Sequence, residues 1–178
     1  MIRKANKNDK SKVCDLILMA SSCLFSDVIK SDDLQKQKEL VMKLYDLKDT
    51  KFHYENIVVY EQDNKVVGCM VSYEANKEVA LNKTMEEFID NGYKFAVEGI
   101  PNTIYLDSMA VDPDYQGLGI SRKILAYFTE NSTKDLSCLV ETYKKETEKY
   151  YQRVGFEVVQ RVNLFNCELD SMIYKINK

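Results

Sequence analysis

Tryptophan is absent from this 178-residue sequence, histidine occurs once, and proline appears twice and glycine six times. A lone His53 and five scattered cysteines, Cys14, Cys23, Cys69, Cys138 and Cys167, include no Cys-x-x-Cys pair, so no metal site is expected. The odd cysteine count likewise argues against a disulfide framework and for a reduced, cytoplasmic setting. No apolar run has the length of a membrane span, and the start, Met1-Ile2-Arg3-Lys4-Ala5-Asn6-Lys7, opens into a polar segment unlike a signal peptide. An excess of basic charge is missing too. Lysine and arginine total 25 against 28 acidic residues, and they are dispersed, which leaves a nucleic-acid partner without support. Lys36-Gln37-Lys38 and Lys144-Lys145 have acidic neighbours and read as solvated helix faces.

What is present is a hydrophobic share of 45% in a length that suits one domain, 1–178, able to bury about two thirds of the surface its unfolded chain exposes. The order of elements is regular. Ile2 to Ala5 reads as a strand, and Val13, Leu16, Ile17 and Ala20 recur at helical spacing after Asn8-Asp9. Ser31 or Asp32 can cap a second helix carrying Leu34, Leu40, Val41, Leu44 and Leu47. Ile57–Tyr60 and Val66–Tyr73 form a hairpin across Asp63-Asn64. Thr84-Met85-Glu86-Glu87 has the form of a capping box for a short helix that stops at Gly92. Further strands are expected over Ile104–Val111, Leu136–Val140, Phe156–Val162 and Leu169–Ile176, with helices after Gly119 and over Glu146–Val154. The alternation predicts an α/β (α+β) fold, a mixed sheet flanked by helices, with no internal repeat or linker.

The most informative stretch runs from Met109 to Leu125, where a strand ending in Val111-Asp112-Pro113 passes through Gln116-Gly117-Leu118-Gly119-Ile120-Ser121-Arg122 into an amphipathic helix. Gly117 and Gly119 can take positive φ, so successive amides converge at the positive end of a helix dipole, a natural cradle for a pyrophosphate. A nucleotide-triphosphate loop needs Gly-Lys-Ser/Thr, and no lysine followed by a hydroxyl stands there. A dinucleotide fingerprint needs a third glycine where Arg122 stands, although Glu141 sits at the acidic offset. Gln116-x-x-Gly119-x-Ser121 instead resembles the acetyl-CoA loop of the GCN5-related N-acetyltransferase (GNAT) family, with Ser121 in place of its usual Gly or Ala.

A second stretch agrees. Tyr150-Tyr151-Gln152-Arg153-Val154-Gly155-Phe156 resembles the family's Phe/Leu-Tyr-x-x-x-Gly-Phe signature, with Gly155 suited to a helix C′ position. Ile2-Arg3-Lys4-Ala5, with Asp9 four residues later, looks like the family's first strand and helix. The resemblance, which covers most of the chain, implies a GNAT-like acyl-CoA N-acyltransferase fold with a mostly antiparallel sheet of about seven strands. It implies acetyl-CoA as cosubstrate and an amine of a small molecule or peptide as acceptor; from the cysteine and histidine pattern, the dispersed charge and the lack of a long apolar run, no metal, nucleic-acid or membrane partner is expected. A homodimer is compatible, since dimers are common in this family.

Carried over position by position, the resemblance implies that Gln116, Gly117, Leu118, Gly119, Ile120, Ser121 and Arg122 bind the pyrophosphate. Backbone groups of Met109, Ala110 and Val111 would lie along the pantetheine, and a main-chain N–H near Met109 would serve the developing oxyanion. Tyr151 is the expected general acid, because a phenol of pKa about 10 stays protonated at neutral pH and can neutralise a departing thiolate; Tyr150 competes for the role. The base is open. Many relatives carry a glutamate where Tyr105 stands, so that role does not transfer; Asp107 is the expected choice, with Glu74, Glu98 and Glu141 as further options. Relatives also have Asn and Ala where Lys144 and Thr147 stand. The long connection 75–103 is expected to wall the acceptor pocket, or else to be packing on the sheet edge. A non-catalytic acyl-CoA-binding sensor or scaffold module is the alternative to the enzyme.

Overall fold

Alternating and continuous β-branched runs become seven strands: β1 Ile2–Lys4, β2 Ile57–Gln62, β3 Lys65–Glu74, β4 Ile104–Val111, β5 Leu136–Glu141, β6 Glu157–Leu164 and β7 Cys167–Tyr174. The amphipathic stretches become five helices: α1 Lys10–Ile29, α2 Leu34–Asp46, α3 Glu78–Ile89, α4 Ile120–Asn131 and α5 Lys145–Val154. The computed structural model describes residues 1–164 and 167–176. One sheet has the order β1-β2-β3-β4-β5-β7-β6, and every neighbouring pair is antiparallel except β4 and β5. Among the described residues no helix is long and apolar enough to cross a membrane.

The sheet separates two cores. On one face α1 and α2 bury Val13, Ile17, Phe25, Val41, Leu44 and Tyr45 against Ile57, Val59, Cys69 and Val71, with Met85 of α3 beside them. On the other, Ile120, Ile124, Leu125 and Phe128 of α4 and Tyr151 of α5 pack on Val58, Met70, Leu106, Cys138, Val140 and Met172. Alternate residues of β2 and β3 supply opposite cores, as the pleat requires. Gly68 lets α4 approach: a Cβ there would stand 3.1 Å from Ile120 Cγ2 and 3.3 Å from the Ala110 carbonyl oxygen. The β2–β3 hairpin turns on Asp63 and Asn64, with φ of 51° and 59°, the paired left-handed conformation of a type I′ turn.

Two helix starts differ from the sequence expectation. Asp33, rather than Ser31 or Asp32, caps α2, its carboxylate accepting from the amides of Gln35 and Lys36, while the Ser31 hydroxyl accepts from the Asp33 amide. The capping box at Thr84 is not one. α3 begins a turn and a half earlier at Glu78, and the Thr84 hydroxyl donates back to the Ala80 carbonyl inside the helix, a competing local bond open to threonine. That helix ends at Ile89 on a left-handed Asp90, before Gly92. The closing strands also sit slightly offset, β6 extending to Leu164 and β7 spanning Cys167–Tyr174.

Candidate active site

The parallel pair β4 and β5 stays together for two positions, Ile104 with Leu136 and Tyr105 with Ser137, and then parts. Beyond Tyr105 the β5-facing edge of β4 has no ladder partner among the described residues, so a cleft opens between the two strands. Asp107 sharpens the divergence: pairing with β3 jumps from Val71–Ser108 to Ser72–Leu106, which leaves Asp107 as an unpaired bulge residue.

At the far end of β4 the chain enters the glycine loop. Asp112 accepts from the Asp114 amide at 3.0 Å and pairs with Lys12 of α1, holding a short 3-10 turn over Pro113–Tyr115. Gly117 and Gly119 adopt φ of 78° and 70°, and a Cβ on either would meet nothing within 4 Å. Their requirement is conformational rather than steric. Gly119 caps α4 without a side chain, so the first-turn amides are directed toward the open loop. Met109 and Val111 lie on the α4/α5 face, packed against the core that contains Ile120 and Tyr151, whereas Ala110 points into the α1/α2 core.

Tyr151 belongs to α5, which ends on Gly155 with φ of 111°, its amide donating to the Gln152 and Tyr151 carbonyls. The ring is buried on β5, 5.2 Å from Phe156 and 5.5 Å from Tyr150, centroid to centroid. Burial, with lesser contributions from Cys138 and Tyr150, holds its hydroxyl well above the usual phenol range. It is therefore protonated at neutral pH. Tyr150 is less buried as a whole, yet its hydroxyl is enclosed without a hydrogen-bond partner.

On the opposite face a buried ionic network gathers residues from four separate stretches of chain. Lys51 Nζ lies 2.9 Å from Glu78 Oε1 and 3.3 Å from Glu98 Oε1. The Tyr73 hydroxyl donates to Glu78 Oε1 at 3.1 Å and to Asp107 Oδ2 at 2.9 Å, and the Tyr105 hydroxyl donates to Glu98 Oε2 at 2.8 Å. The Ser108 hydroxyl donates to Asp107 Oδ1 at 2.6 Å and meets Ser21 at 2.9 Å, where α1 is kinked. The amides of Glu98 and Gly99 donate to Glu78 Oε2 at 3.1 and 2.8 Å. Burial opposes the charge on Lys51, yet Glu98, Asp107 and Glu78 carry its pKa above the ordinary lysine value. Burial pushes the Glu98 carboxyl up to about 7, Lys51 drawing it down and Asp107 pushing it further up. A carboxylate poised there is suited to proton transfer near neutrality.

The network collects residues that the sequence left apart. Asp107 is in it, and so is Glu98, one option among several; Lys51 and Glu78 carried no signal at all. The one clue was Tyr105, standing where relatives have a glutamate, because its hydroxyl now holds the carboxylate of Glu98. Glu74 is instead paired with Lys77 and Lys134, and Glu141 with Lys144, both at the surface. The 75–103 connection supplies α3 with Glu78 and an irregular return segment with Glu98, and its loop at 97–101 walls a groove of about 370 Å³ against Leu139, Val159 and Ser171. A larger cavity of about 520 Å³ lies near Lys4, His53 and Lys134; the glycine loop and Tyr151 line neither of the two, and Glu98 lines the smaller one.

Residues 53–158 match the family model described as Acetyltransferase (GNAT) domain. The chain belongs to the GNAT acetyltransferase family. Its fold is similar to a crystal structure of an acetyltransferase at 24% identity and TM-score 0.82, covering 99% of this chain and 100% of that one. It is similar also to an N-acetyltransferase from Staphylococcus aureus Mu50 at 24% identity and TM-score 0.83, covering 97% and 99%. A more distant likeness, 14% identical with TM-score 0.71 and covering 97% and 94%, is to histone acetyltransferase HPA2 and related acetyltransferase from Corynebacterium glutamicum. No curated protein matches the sequence. GNAT proteins move an acyl group from acyl-CoA to an amine, and the mixed sheet of seven strands flanked by helices is that family's fold.

Proposed function

We propose that this protein transfers the acetyl group of acetyl-CoA to a primary amine of a small molecule or peptide, by direct attack with both substrates bound in one domain. The observation that carries this reading is the cleft between β4 and β5, with Tyr151 on one face of the sheet, the Lys51–Glu78–Glu98–Asp107 network on the other, and the glycine loop at its end. Acetyl-CoA would supply an activated thioester. The amides from Gln116 to Arg122 hold its diphosphate, and the free edge of β4 at Met109 and Val111 lines its arm. Positioning of two reactants in this way can contribute roughly 7–11 kcal/mol of barrier reduction. One main-chain donor at Met109 aimed at the developing oxyanion is worth about 2.7–4 kcal/mol.

Tyr151 gives a proton to the leaving thiolate. Asp107 and the carboxylates joined to it through Tyr73 and Lys51 receive the proton that the ammonium must lose. Thiol release in the presence of acetyl-CoA and an amine panel tests the reading. Tyr151→Phe should slow the chemical step by roughly 10²-fold or more while leaving CoA binding intact; an unchanged single-turnover rate removes Tyr151 from the mechanism. The replacement of the family's Asn and Ala by Lys144 and Thr147 favours a second reading, a CoA-binding module without turnover, which the same assay separates.

A further inference from the structure

The groove beside Glu98 carries a statement about the acceptor, and it rests on the acetyl-transfer reading above. Its floor and walls are apolar: Val97, Ile100, Pro101, Leu139, Val159 and Val162 line it, with Glu98 at one end. Gln160 and Ser171 add neutral polar contacts, and Glu98 is the charged residue in that lining. Val97 and Val159 are 55% and 52% exposed at its rim, which leaves apolar surface in water for an occupant to cover. At about 370 Å³ it matches the lower range of small-molecule sites.

Charge complementarity identifies what end of the occupant faces Glu98. Three carboxylates, Glu78, Glu98 and Asp107, bear on the single ammonium of Lys51. Glu78 is further satisfied by two amides and Tyr73, and Asp107 by Tyr73 and Ser108. Glu98 has Lys51 and Tyr105, and of the three acidic residues it is the one that lines the groove. A second cation arriving there offsets an acidic excess held in a poorly hydrated place, where Coulombic attraction is stronger than in water. The rest of the groove offers no charged partner, so a second ammonium or a carboxylate on the same molecule would lose its hydration without compensation.

We propose that this groove is the acceptor subsite and that its occupant is a primary amine on an uncharged, apolar stem, with the nitrogen set against Glu98. Glu98 takes the first proton from the ammonium. The free nitrogen attacks the thioester carbonyl carbon; the C–N bond forms and the C–S bond breaks. The thiolate takes its proton from Tyr151, which is restored by the second proton from nitrogen, and Glu98 returns its proton to solvent. The three hydrogens of the ammonium thus end on the amide, the thiol and water.

The test uses the full chain with acetyl-CoA and two acceptors of one length, hexylamine and its α,ω-diamine, read by thiol release and product mass. Hexylamine should have a kcat/KM about tenfold or more above the diamine, a discrimination of the size a pocket contact supplies. Val159→Glu, a change at an exposed position that leaves the fold intact, should lower the hexylamine value and raise that of the diamine. Glu98→Gln should lower kcat for both while CoA binding, followed by calorimetry, stays at the parent value. Equal or better use of the diamine by the parent, or a ratio unmoved by Val159→Glu, overturns the proposal and leaves acetyl transfer standing. CoA binding with neither amine acetylated overturns it too. Absence of CoA binding instead fails the underlying reading and the proposal with it. A sedimentation shift from dimer to monomer in Val159→Glu would assign the groove to a second copy of the chain.

Discussion

Glu98→Gln should make the protein more stable while making it a poorer enzyme. In the folded chain the Glu98 carboxyl sits at about 7 instead of the ordinary 4.5, chiefly because burial disfavours its charge. A folded-state pKa above the unfolded one means that the folded protein holds the proton more tightly between those values. The stabilisation is complete below about 4.5 and is lost as pH rises through about 7. Each tenfold displacement of a proton equilibrium corresponds to about 1.4 kcal/mol, so the full displacement is roughly 3 kcal/mol. Glutamine keeps the shape of the protonated acid and cannot ionise. Urea unfolding of parent and variant should therefore coincide near pH 4.5 and separate by pH 8, the variant ahead by roughly 3 kcal/mol. For a domain of this length that is about 6–12 °C in Tm. Comparing the two proteins cancels the other carboxylates, such as Asp9, whose pKa is depressed by Arg3 and whose stabilisation is lost in the opposite direction as pH falls. A variant no more stable than the parent at pH 8 refutes the claim that the site holds a strained carboxylate.

Other consequences follow from the same contacts. Lys51→Met removes the ammonium from Glu78 and Glu98, both within 3.3 Å, and should cost about 3–5 kcal/mol in urea unfolding at pH 8. Its kcat/KM against pH should also shift to higher pH, since Lys51 draws the Glu98 carboxyl down. Gly99→Ala would bring a Cβ to 2.7 Å from that of Ala75 and 3.2 Å from Glu78 Oε2, and overpacking there should cost about 1–3 kcal/mol and raise KM for the amine with little change for CoA. Gly119→Ala, at φ of 70° in open space, meets only conformational strain of about 1–2 kcal/mol, and calorimetry should show roughly tenfold weaker CoA binding.

Much of this architecture was legible because periodicity is a local property. The hairpin on Asp63-Asn64, strand Ile104–Val111, the glycine loop and the Gly155 stop all appear where the sequence places them, since each is set by residues within one turn or one strand. The start of α3 was misplaced because Thr84 and Glu87 have capping-box spacing, but the helix-forming run from Glu78 onward buries Glu78, Leu81, Asn82 and Met85, and tertiary packing outweighs the local signal. The site divided along the same line. The glycine loop is one continuous stretch. The ionic network joins Lys51, Tyr73, Glu78, Glu98, Tyr105 and Asp107 across more than fifty residues of chain, and each charged member, taken alone, looks like a solvated surface residue. Pattern reading cannot register that a lysine and two glutamates share one buried space, nor that a bulge at Asp107 turns it toward them.

Calorimetric titration with CoA and with pantetheine tests the central claim most directly, because the two ligands differ in the diphosphate and nucleotide that the amides from Gly117 to Arg122 are held to grip. Saturable heat from CoA, with pantetheine binding at least a hundredfold more weakly, is the expected result. No heat from CoA, or equal affinities for the two, would contradict it.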